Sequence, residues 1–271
     1  MLGVLSQFYY CQIDLVSFTV IEMNSHSRLT SSENLQQGHG SNLYPVTLKQ
    51  RFGDLQIDLD VPEGVWNPTP HGIHLGNMLL GIDFTGKNVL ELGTGCGIHA
   101  ILIAHRGAAQ MTMTEIDAVA IENSKHNFAK NTIDIEAEFI VADWTAVPGA
   151  SHEGKAKWDC IVTNPPFAKS GKHYRRYFID SLILDAHKLV KPGGELIFVQ
   201  SSMADIPRSV QLMEDCKMAV HIVGETEGPF RDYYYEDDTF MQESANVQNG
   251  FEIRDGVHYE RLIVFRAVLP K

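Results

Sequence analysis

The distribution of apolar and polar positions changes character along this chain of 271 residues. An apolar start gives way to a polar stretch at 23–42, whose composition is typical of loop or disorder. Residues 44–51 and 54–60 then alternate apolar and polar positions around a Gly-Asp pair, which predicts a β-hairpin. A proline-rich loop follows and leads into a predicted helix near 72–81.

From residue 87 onward, short apolar runs alternate with segments of helical periodicity. This alternation predicts a parallel sheet with helices on both faces and right-handed crossovers. The predicted fold class is α/β, a doubly wound, mostly parallel sheet of seven strands with an amino-terminal hairpin and lid. The predicted strands are 88–92, 110–115, 135–143, 158–164, 194–202, 218–224 and 261–269, and the predicted helices are 97–107, 117–131 and 177–190.

These elements divide the chain into three predicted parts. Residues 1–42 form a flexible or lid segment, and residues 43–82 form the hairpin with a proline-rich lid. Residues 83–271 form the catalytic domain. Within it, residues 224–257 are too long for a simple turn, which predicts a functional flap.

The charge of the chain restricts its partners. Acidic residues outnumber basic ones by 34 to 22, and the formal net charge is −12. A field of this sign repels phosphate backbones and anionic membranes, so nucleic acid and membrane are not expected partners. One local basic patch, interpreted as a solvated helix face, consists of Lys169, Lys172, Arg175 and Arg176.

The cysteines and the first residues predict a cytoplasmic protein. The four cysteines are scattered without a CxxC pair, which fits a reducing compartment and indicates neither a disulfide framework nor a zinc site. Residues 1–22 are apolar but contain Asp14 and lack a basic region, so they predict neither a signal peptide nor a membrane span. Met23 is an alternative start.

A glycine-rich turn follows the first strand of the predicted parallel sheet. Residues 89–97 read VLELGTGCG, with glycines at 93, 95 and 97. Glycines allow the backbone to approach a ligand closely. The spacing GxGxG differs from the dinucleotide fingerprint GxGxxG, because Ile98 occupies the position of the third glycine. The ligand therefore need not be a phosphate.

Further polar residues end the next three strands. Glu115 ends the second strand, about twenty residues beyond the turn, where an acid can bind both ribose hydroxyls. Asp143 and Trp144 end the third strand and could bracket an adenine. Asn164 ends the fourth. Open α/β sheets bind ligands at these carboxyl ends. Asp117 is interpreted as a helix cap.

The segments ELGTGCG, TEID, VADW and TNPPF, in this order and spacing, resemble class I S-adenosylmethionine-dependent methyltransferases over residues 87–268. The resemblance implies a Rossmann-like methyltransferase fold with S-adenosylmethionine as cofactor. Its glycines would face the methionine part, its first acid the ribose and its second acid the adenine amine. The implied contacts are Glu91, Gly93, Thr94, Gly95, Gly97, Glu115, Ile116, Asp143, Trp144 and Asn164.

The Asn-Pro-Pro-Phe segment, residues 164–167, resembles the subset of these enzymes that methylates planar nitrogens of adenine or of a glutamine amide. The side-chain oxygen of Asn164 and the carbonyl of Pro165 can each accept a hydrogen bond from an NH₂ group. Two rigid prolines preorganise these acceptors. Pro166 and Phe167 would contact a flat substrate.

Further candidates come from the lid and the flap. The loop NPTPHG is loosely similar to a segment over the cofactor in glutamine methyltransferases, which implies contacts from Trp66, Asn67, Thr69 and His71. His71 and His74 lie three residues apart, and we interpret them as lid or packing residues. The flap combines aromatic residues, among them Tyr234, with carboxylates, which suits a small amine or cation.

The sequence predicts an N-methyltransferase that acts on an amine or amide of a small molecule or a protein. One alternative is an enzyme that cyclises or transfers the aminobutyryl chain of S-adenosylmethionine, which is then the sole substrate, and releases methylthioadenosine. Asn164 with Tyr174 or Tyr177 would orient the amine there. The other alternative is a non-catalytic interaction protein with the same fold. The sequence does not indicate an oligomeric state.

Overall fold

The structure is a computed structural model that describes residues 46–143, 147, 157–168 and 174–271. Its first two strands, β1 (Val46–Phe52) and β2 (Leu55–Val61), pair antiparallel and form the predicted hairpin. Gly53 supplies the positive φ of +55° that the tight turn requires. The predicted lid segment 1–42 lies outside the described residues.

The central sheet confirms the predicted fold class. Its strands are β3 (Asn88–Leu92), β4 (Gln110–Glu115), β5 (Glu136–Val141), β6 (Trp158–Thr163), β7 (Val190–Ser201), β8 (Ala219–Pro229), β9 (Glu252–Arg254) and β10 (Val257–Val268). Seven of them lie in the order β5-β4-β3-β6-β7-β10-β8, and the short β9 pairs with β10. The five strands from β5 to β7 are parallel, and β10 is antiparallel to both of its neighbours.

Helices cover both faces of this sheet. They are α1 (Pro70–Leu79), α2 (Ile98–His105), α3 (Ala118–Lys130), α4 (Tyr177–Leu189), α5 (Ile206–Asp215) and α6 (Asp238–Ala245). Successive residues of β3 alternate between the faces, so Val89 packs with the hairpin, α1 and α2, whereas Leu90 packs with α4 and α5. Helices α5 and α6 were not among the predicted elements.

The predicted flap at 224–257 is only partly a loop. Residues 224–229 continue β8, which pairs with β10 along its whole length. This extension of the predicted strand 218–224 was missed because β8 lies at the sheet edge and most of its side chains are exposed, so no apolar alternation marks it. The rest of the segment contains a 3₁₀ turn at Asp232–Tyr234, helix α6 and strand β9. We call residues 230–251 the flap below.

Two asparagines of α3 hold the hairpin against the domain. Asn127 Oδ1 accepts a hydrogen bond from the backbone N–H of Asp60 at 2.8 Å, and its Nδ2 donates to the carbonyl of the same residue at 3.0 Å. Asn131, one turn later, makes the same pair of bonds with the backbone of Asp58. The side-chain amides thus provide hydrogen-bond partners for backbone groups at the edge of β2, as a neighbouring strand would.

Within the residues that the structure describes, no helix is both long and apolar enough to cross a membrane.

Candidate functional site

The carboxyl ends of the parallel strands open into a cavity of about 570 Å³. This volume lies in the range of small-molecule sites. The loops after β3, β4, β5 and β6 line one part of it, and the lid residues Trp66, Asn67, Thr69 and His71 line another. The motifs that the sequence placed at strand ends therefore meet in one place, as expected for an open α/β sheet.

The glycine turn after β3 forms the floor of the cavity. Gly93 and Gly95 have positive φ values of 70° and 53°, and both line the cavity together with Thr94. A Cβ atom on Gly95 would meet open space, so the turn leaves room for a ligand above it. Gly97 serves packing instead: a Cβ there would lie 3.1 Å from the Cβ of Ser124 on α3.

Glu115 is held in place by the backbone at the end of β4. Its Oε2 accepts a hydrogen bond from the N–H of Gly95 at 3.2 Å, and its Oε1 accepts one from Ile116 at 2.9 Å. Each oxygen keeps a lone pair for a ligand hydroxyl. Burial raises the pKa of this carboxyl above its ordinary value. Ile116 and Asp143 line the cavity beside it, and Asp117 caps α3 through the N–H of Val119.

Beneath the glycine turn, Glu91, a predicted cofactor contact, forms a buried pair with His99 that the sequence did not predict. Glu91 Oε2 accepts from the hydroxyl of Thr94 at 2.6 Å, and Glu91 Oε1 lies 3.1 Å from His99 Nδ1. The other ring nitrogen of His99 lies 2.8 Å from the carbonyl oxygen of Gly72 on α1. His99 lines the cavity, whereas Glu91 lies behind it.

The Asn-Pro-Pro-Phe loop forms the opposite wall. Residues 164–168 all line the cavity. A Cβ on Gly72 would lie 3.8 Å from Asn164 Nδ2, so the first turn of α1 lies close to this amide. The ring of Phe167 packs against that of Phe240 with centroids 5.7 Å apart. The flap helix α6 therefore fixes the position of the aromatic residue in the motif.

Arg175 strengthens this link between the loop and the flap. Its Nη1 donates to the carbonyl of Ala168 at 2.5 Å, and its Nη2 and Nε bind Asp237 and Glu243 at 2.9 and 2.6 Å. Asp237 is the N-cap residue of α6, and Glu243 lies within this helix. The guanidinium thus crosslinks the end of the loop to the flap.

A third wall comes from the flap and the lid. Arg231, Tyr233 and Tyr234 line the cavity next to His71. Arg231 contacts His71 Nδ1 through Nη2 and the hydroxyl of Tyr233 through Nη1, the latter at 2.7 Å. Tyr234 donates to the buried carboxyl of Glu260 at 3.1 Å. Burial raises the pKa of Glu260 and also that of Tyr234.

Several predicted site residues lie elsewhere. Tyr174 and Tyr177 are not among the described residues that line the cavity. The hydroxyl of Tyr174 binds Asp180, which also pairs with Arg176 at 2.7 Å and with Arg208 at 2.9 Å. Tyr174 therefore belongs to a charged network between α4 and α5. Trp144, Lys169 and Lys172 lie outside the described residues.

The two lid histidines have different environments. His71 lines the cavity, but His74 is buried within α1, where burial lowers the pKa of its ring. Among the described residues no group of three His, Cys, Asp or Glu side chains is arranged to hold a metal ion. Cys96 also lines the cavity, and burial raises the pKa of its thiol to about 12, so it is not a thiolate at neutral pH.

The sequence missed His99, Cys96, Gln200, Ser201 and Arg231 among the residues that line the cavity, whereas Tyr233 belongs to the predicted aromatic residues of the flap. Two of them had a readable signal. Gln200 and Ser201 lie at the carboxyl end of the predicted fifth strand. Asn164 was selected because it occupies the same kind of position on the fourth strand. Arg231 carried none, because its partner His71 lies 160 positions earlier in the chain.

Curated relatives are methyltransferases with different substrates. The chain is 33% identical over 127 residues to a ribosomal RNA small subunit methyltransferase C of Pseudomonas aeruginosa, covering 46% of this chain and 36% of that protein. It is 27% identical over 192 residues to a candidate protein N5-glutamine methyltransferase of Methanocaldococcus jannaschii, covering 65% and 92%. It is also 27% identical over 142 residues to a tRNA1(Val) (adenine(37)-N6)-methyltransferase of Parabacteroides distasonis, covering 46% and 59%.

The chain thus spans about a third of the length of the ribosomal RNA methyltransferase. A solved structure of the Thermus thermophilus 16S rRNA N2 G1207 methyltransferase, in complex with AdoMet and guanosine, matches with a TM-score of 0.53. Its identity is 19%, and the match covers 83% of this chain and 50% of that one. A methyltransferase-like protein from Streptococcus mutans matches with a TM-score of 0.56 at 14% identity, covering 85% and 57%. At these identities the likeness shows the fold.

The family itself follows from a match over most of the catalytic domain. The model of the methyltransferase small domain covers residues 75–229, more than half of the chain. This range contains the glycine turn, Glu115, Asp143 and the Asn-Pro-Pro-Phe loop. The chain belongs to the methyltransferase small domain family, and its cofactor is S-adenosylmethionine.

Proposed function

We propose that this protein is an N-methyltransferase whose acceptor is an amine or amide nitrogen of a small molecule or a protein. The observation that carries the proposal is the position of Asn164. It lines the same cavity as the glycine turn and Glu115, at the end of β6, two strands away from β4. An acceptor nitrogen beside Asn164 would thus lie next to the methionine end of the cofactor.

The cofactor assignments rest on fit. Glu115 offers two oriented oxygens to a ribose, and the turn at 93–95 leaves open space above its backbone. Asp143 and Ile116 lie at the adenine end, and Trp144 stays a prediction from the sequence. The cofactor supplies a methyl group on a positively charged sulfur, so the protein needs no nucleophile of its own.

The acceptor side is suited to a planar nitrogen. The side-chain oxygen of Asn164 and the carbonyl of Pro165 can accept hydrogen bonds from an NH₂ group and orient its lone pair. Pro165 is buried, and Phe167 is fixed by Phe240, so the loop is rigid before any ligand binds. Rings of Phe167, Tyr233 and Tyr234 border this space.

Charge favours a small molecule or a protein over a nucleic acid. The net charge is −12, and the two arginines that the structure describes just after this loop are neutralised within the protein. Arg175 pairs with Asp237 and Glu243, and Arg176 pairs with Asp180. Relatives that act on RNA make nucleic acid the competing acceptor class.

The reading in which the aminobutyryl chain reacts loses part of its support, because Tyr174 is engaged with Asp180 and neither it nor Tyr177 is among the described residues of the cavity wall. The two chemistries leave different by-products, so a by-product assay separates them.

The experiment combines by-product and label analysis. The purified full chain is incubated with methyl-labelled S-adenosylmethionine and with separate small-molecule, protein and RNA fractions of a cell extract. We expect adenosylhomocysteine as the by-product and label in the small-molecule or the protease-sensitive fraction. Methylthioadenosine, or label that nuclease releases, would contradict the proposal. Asn164→Ala serves as the control for background label.

A further inference from the structure

Arg231 is a cation on the wall of the cavity. The other arginines near the site bind carboxylates directly, whereas Arg231 contacts a hydroxyl and an imidazole. It follows β8, at the start of the flap, and lies between the lid and the aromatic residues of the flap. It also borders a second cavity of about 510 Å³, which shares Trp66 and Tyr233 with the first. The guanidinium thus lies where the cofactor cavity meets this second space.

The direct polar contacts of Arg231 are a tyrosine hydroxyl and an imidazole nitrogen. Nη1 donates to the hydroxyl of Tyr233 at 2.7 Å, and Nη2 contacts His71 Nδ1. Its Nε is buried and has no hydrogen-bond partner among the described residues. The guanidinium carbon lies 5.6 and 5.8 Å from the ring centroids of Tyr233 and Tyr234. Such cation–π contacts orient the planar group without neutralising it.

The neighbouring arginines are neutralised directly. Arg175, Arg176 and Arg208 each have a carboxylate oxygen within 3 Å. For Arg231, the nearest acid in its network is Glu260, and His71 lies between the two: its Nδ1 contacts Arg231, while its Nε2 lies 3.6 Å from Glu260 Oε2. Glu260 is 2% exposed, and Tyr234 also binds its carboxyl group.

We propose that Arg231 binds a carboxylate inside the cavity, belonging either to the acceptor or to the amino-acid end of the cofactor. A partly buried guanidinium whose direct contacts among the described residues are a hydroxyl, an imidazole and aromatic rings gains most from an anionic partner. Its planar fork of N–H groups matches the two oxygens of a carboxylate. The acceptor form of this inference rests on the proposed function, whereas the cofactor form does not.

A carboxylate fits this position better than a phosphodiester. Nucleic-acid backbones require several cations over an extended surface, and here one guanidinium lies in a chain of net charge −12. The flap around Arg231 carries further acids, Asp232, Glu236, Asp237 and Asp238. An extended polyanion would meet this repulsion, but a small ligand inside the cavity would not.

The first arm of the test uses cofactor analogues and measures binding, so it does not depend on turnover. Adenosylhomocysteine carries the amino-acid carboxylate, and methylthioadenosine lacks it. Both are titrated calorimetrically into wild type, Arg231→Gln and Arg231→Lys. If the cofactor carboxylate is the ligand, Arg231→Gln weakens adenosylhomocysteine binding about tenfold or more, the size of a lost charge-assisted bond, and leaves methylthioadenosine unchanged. Lys should retain part of the affinity.

The second arm uses the protein saturated with adenosylhomocysteine. The ligands β-alanine and 4-aminobutyrate are compared with propylamine and butylamine by saturation-transfer NMR. If the acceptor carboxylate is the ligand, wild type prefers the amino carboxylates, and Arg231→Gln loses this preference while its affinity for adenosylhomocysteine stays unchanged.

Arg261→Gln is the matched control, since Arg261 is a partly exposed arginine on β10 that pairs with Glu225 at 3.1 Å. Circular dichroism and thermal unfolding establish that each variant is folded, and the Lys variant keeps the test valid if Gln perturbs the flap. The proposal is overturned if both Arg231 variants bind adenosylhomocysteine as wild type does and the preference for amino carboxylates is absent in wild type or unchanged in the variants. Failure here would leave the by-product assay of the proposed function unaffected.

Discussion

The ring of His99 lies 2.8 Å, through Nε2, from the carbonyl oxygen of Gly72, and so ties the first turn of α1 to the floor of the cavity. The same ring reaches Glu91 through Nδ1 at 3.1 Å. Since Glu91 also holds Thr94 of the glycine turn, one buried side chain connects the lid to the cofactor turn. The distance between the two parts is therefore fixed before a ligand binds.

We expect His99→Ala to weaken both folding and cofactor binding. It leaves an oxygen of Glu91 buried without its partner, which should cost about 2–4 kcal/mol of the free energy of unfolding. The released lid should lower the affinity for adenosylhomocysteine about tenfold, which calorimetry measures. His105→Ala, an exposed change on the same helix, is the control. Additive effects in the double variant with Glu91→Gln would contradict a coupled pair.

Glu115→Ala should weaken cofactor binding by roughly 2–3 kcal/mol, because it removes two charge-assisted hydrogen bonds to the ribose. The same carboxyl makes the affinity pH-dependent. Burial raises its pKa above the ordinary value of 4.5, and the ionised form binds the hydroxyls better. The affinity should therefore fall as the pH drops, and it should begin to fall at a higher pH than an ordinary glutamate would give.

Calorimetric titration of adenosylhomocysteine from pH 8 downward measures this dependence. Glu115→Ala should flatten the pH profile, while Glu122→Gln, an exposed change on α3, should keep it. Unchanged affinity in Glu115→Ala would remove the residue from the cofactor site.

Asn164→Ala should reduce turnover by about two to three orders of magnitude and leave the affinity for adenosylhomocysteine nearly intact. The reason is that Asn164 lies at the end of β6, away from Glu115 and Asp143, on the side of the acceptor. Asn164→Asp keeps an oxygen acceptor and should retain more activity than Ala. A parallel loss of cofactor affinity would favour the reading in which the amine belongs to the cofactor, and wild-type turnover would exclude the proposed role.

The sequence predicted the parts of the fold that are governed by local pattern. Strands β3, β4 and β6 are buried on both faces and read as short apolar runs, so their ends, and the polar residues that follow, could be placed. The extension of β8 and helices α5 and α6 were missed, because their exposed faces dilute the apolar signal.

The candidate site divides in the same way. Glu115 and Asn164 follow strands directly, and their meeting in one cavity follows from parallel topology. The contact between Arg231 and His71 depends on how the flap folds back over the lid, which no local pattern encodes. Tyr174 and Tyr177 were predicted to orient the reacting amine with Asn164, but the hydroxyl of Tyr174 binds Asp180 of α4 instead.

The hairpin should depend on Asn127. This side chain is fully buried and binds the backbone of Asp60 twice and the carbonyl of Cys96 at 2.9 Å. Asn127→Ala removes the partner of the Asp60 N–H and of the Cys96 carbonyl, while Asn123 still donates to the Asp60 carbonyl at 2.6 Å. It should lower the free energy of unfolding by about 3 kcal/mol, measured with urea. Lys125→Ala, an exposed change on the same helix, should have little effect. An equal loss of unfolding free energy in Asn127→Ala and Lys125→Ala would contradict the role of Asn127 in holding the hairpin.

The carboxyl group of Asp60 makes the stability of the hairpin's attachment depend on pH. Its hydrogen bond with Lys130, at 2.5 Å, lowers the pKa of the carboxyl from 3.8 to about 2. A carboxyl whose pKa is lower in the folded state stabilises the fold above the pKa of the unfolded chain and loses this effect as the pH falls. Stability should therefore decline between pH 3.8 and about 2, and Asp60→Asn should lack this part of the decline. If the free energy of unfolding of wild type and of Asp60→Asn declines equally at acid pH, this role of Asp60 is contradicted.

We expect this protein to bind nucleic acid weakly. The chain has a net charge of −12, and among the described residues Arg175 and Arg176 are paired with carboxylates, which weakens their ability to displace counterions from phosphates. Fluorescence anisotropy with labelled single-stranded RNA and duplex DNA, between about 50 and 200 mM salt, should detect no submicromolar complex. If such a complex forms and weakens steeply with salt, the double variant Lys169→Glu and Lys172→Glu identifies whether these two lysines are responsible, with Lys125→Glu as a control on α3. Tight binding that this double variant abolishes would assign the acceptor to nucleic acid, as in the RNA methyltransferase relatives, and would overturn the expectation drawn from charge.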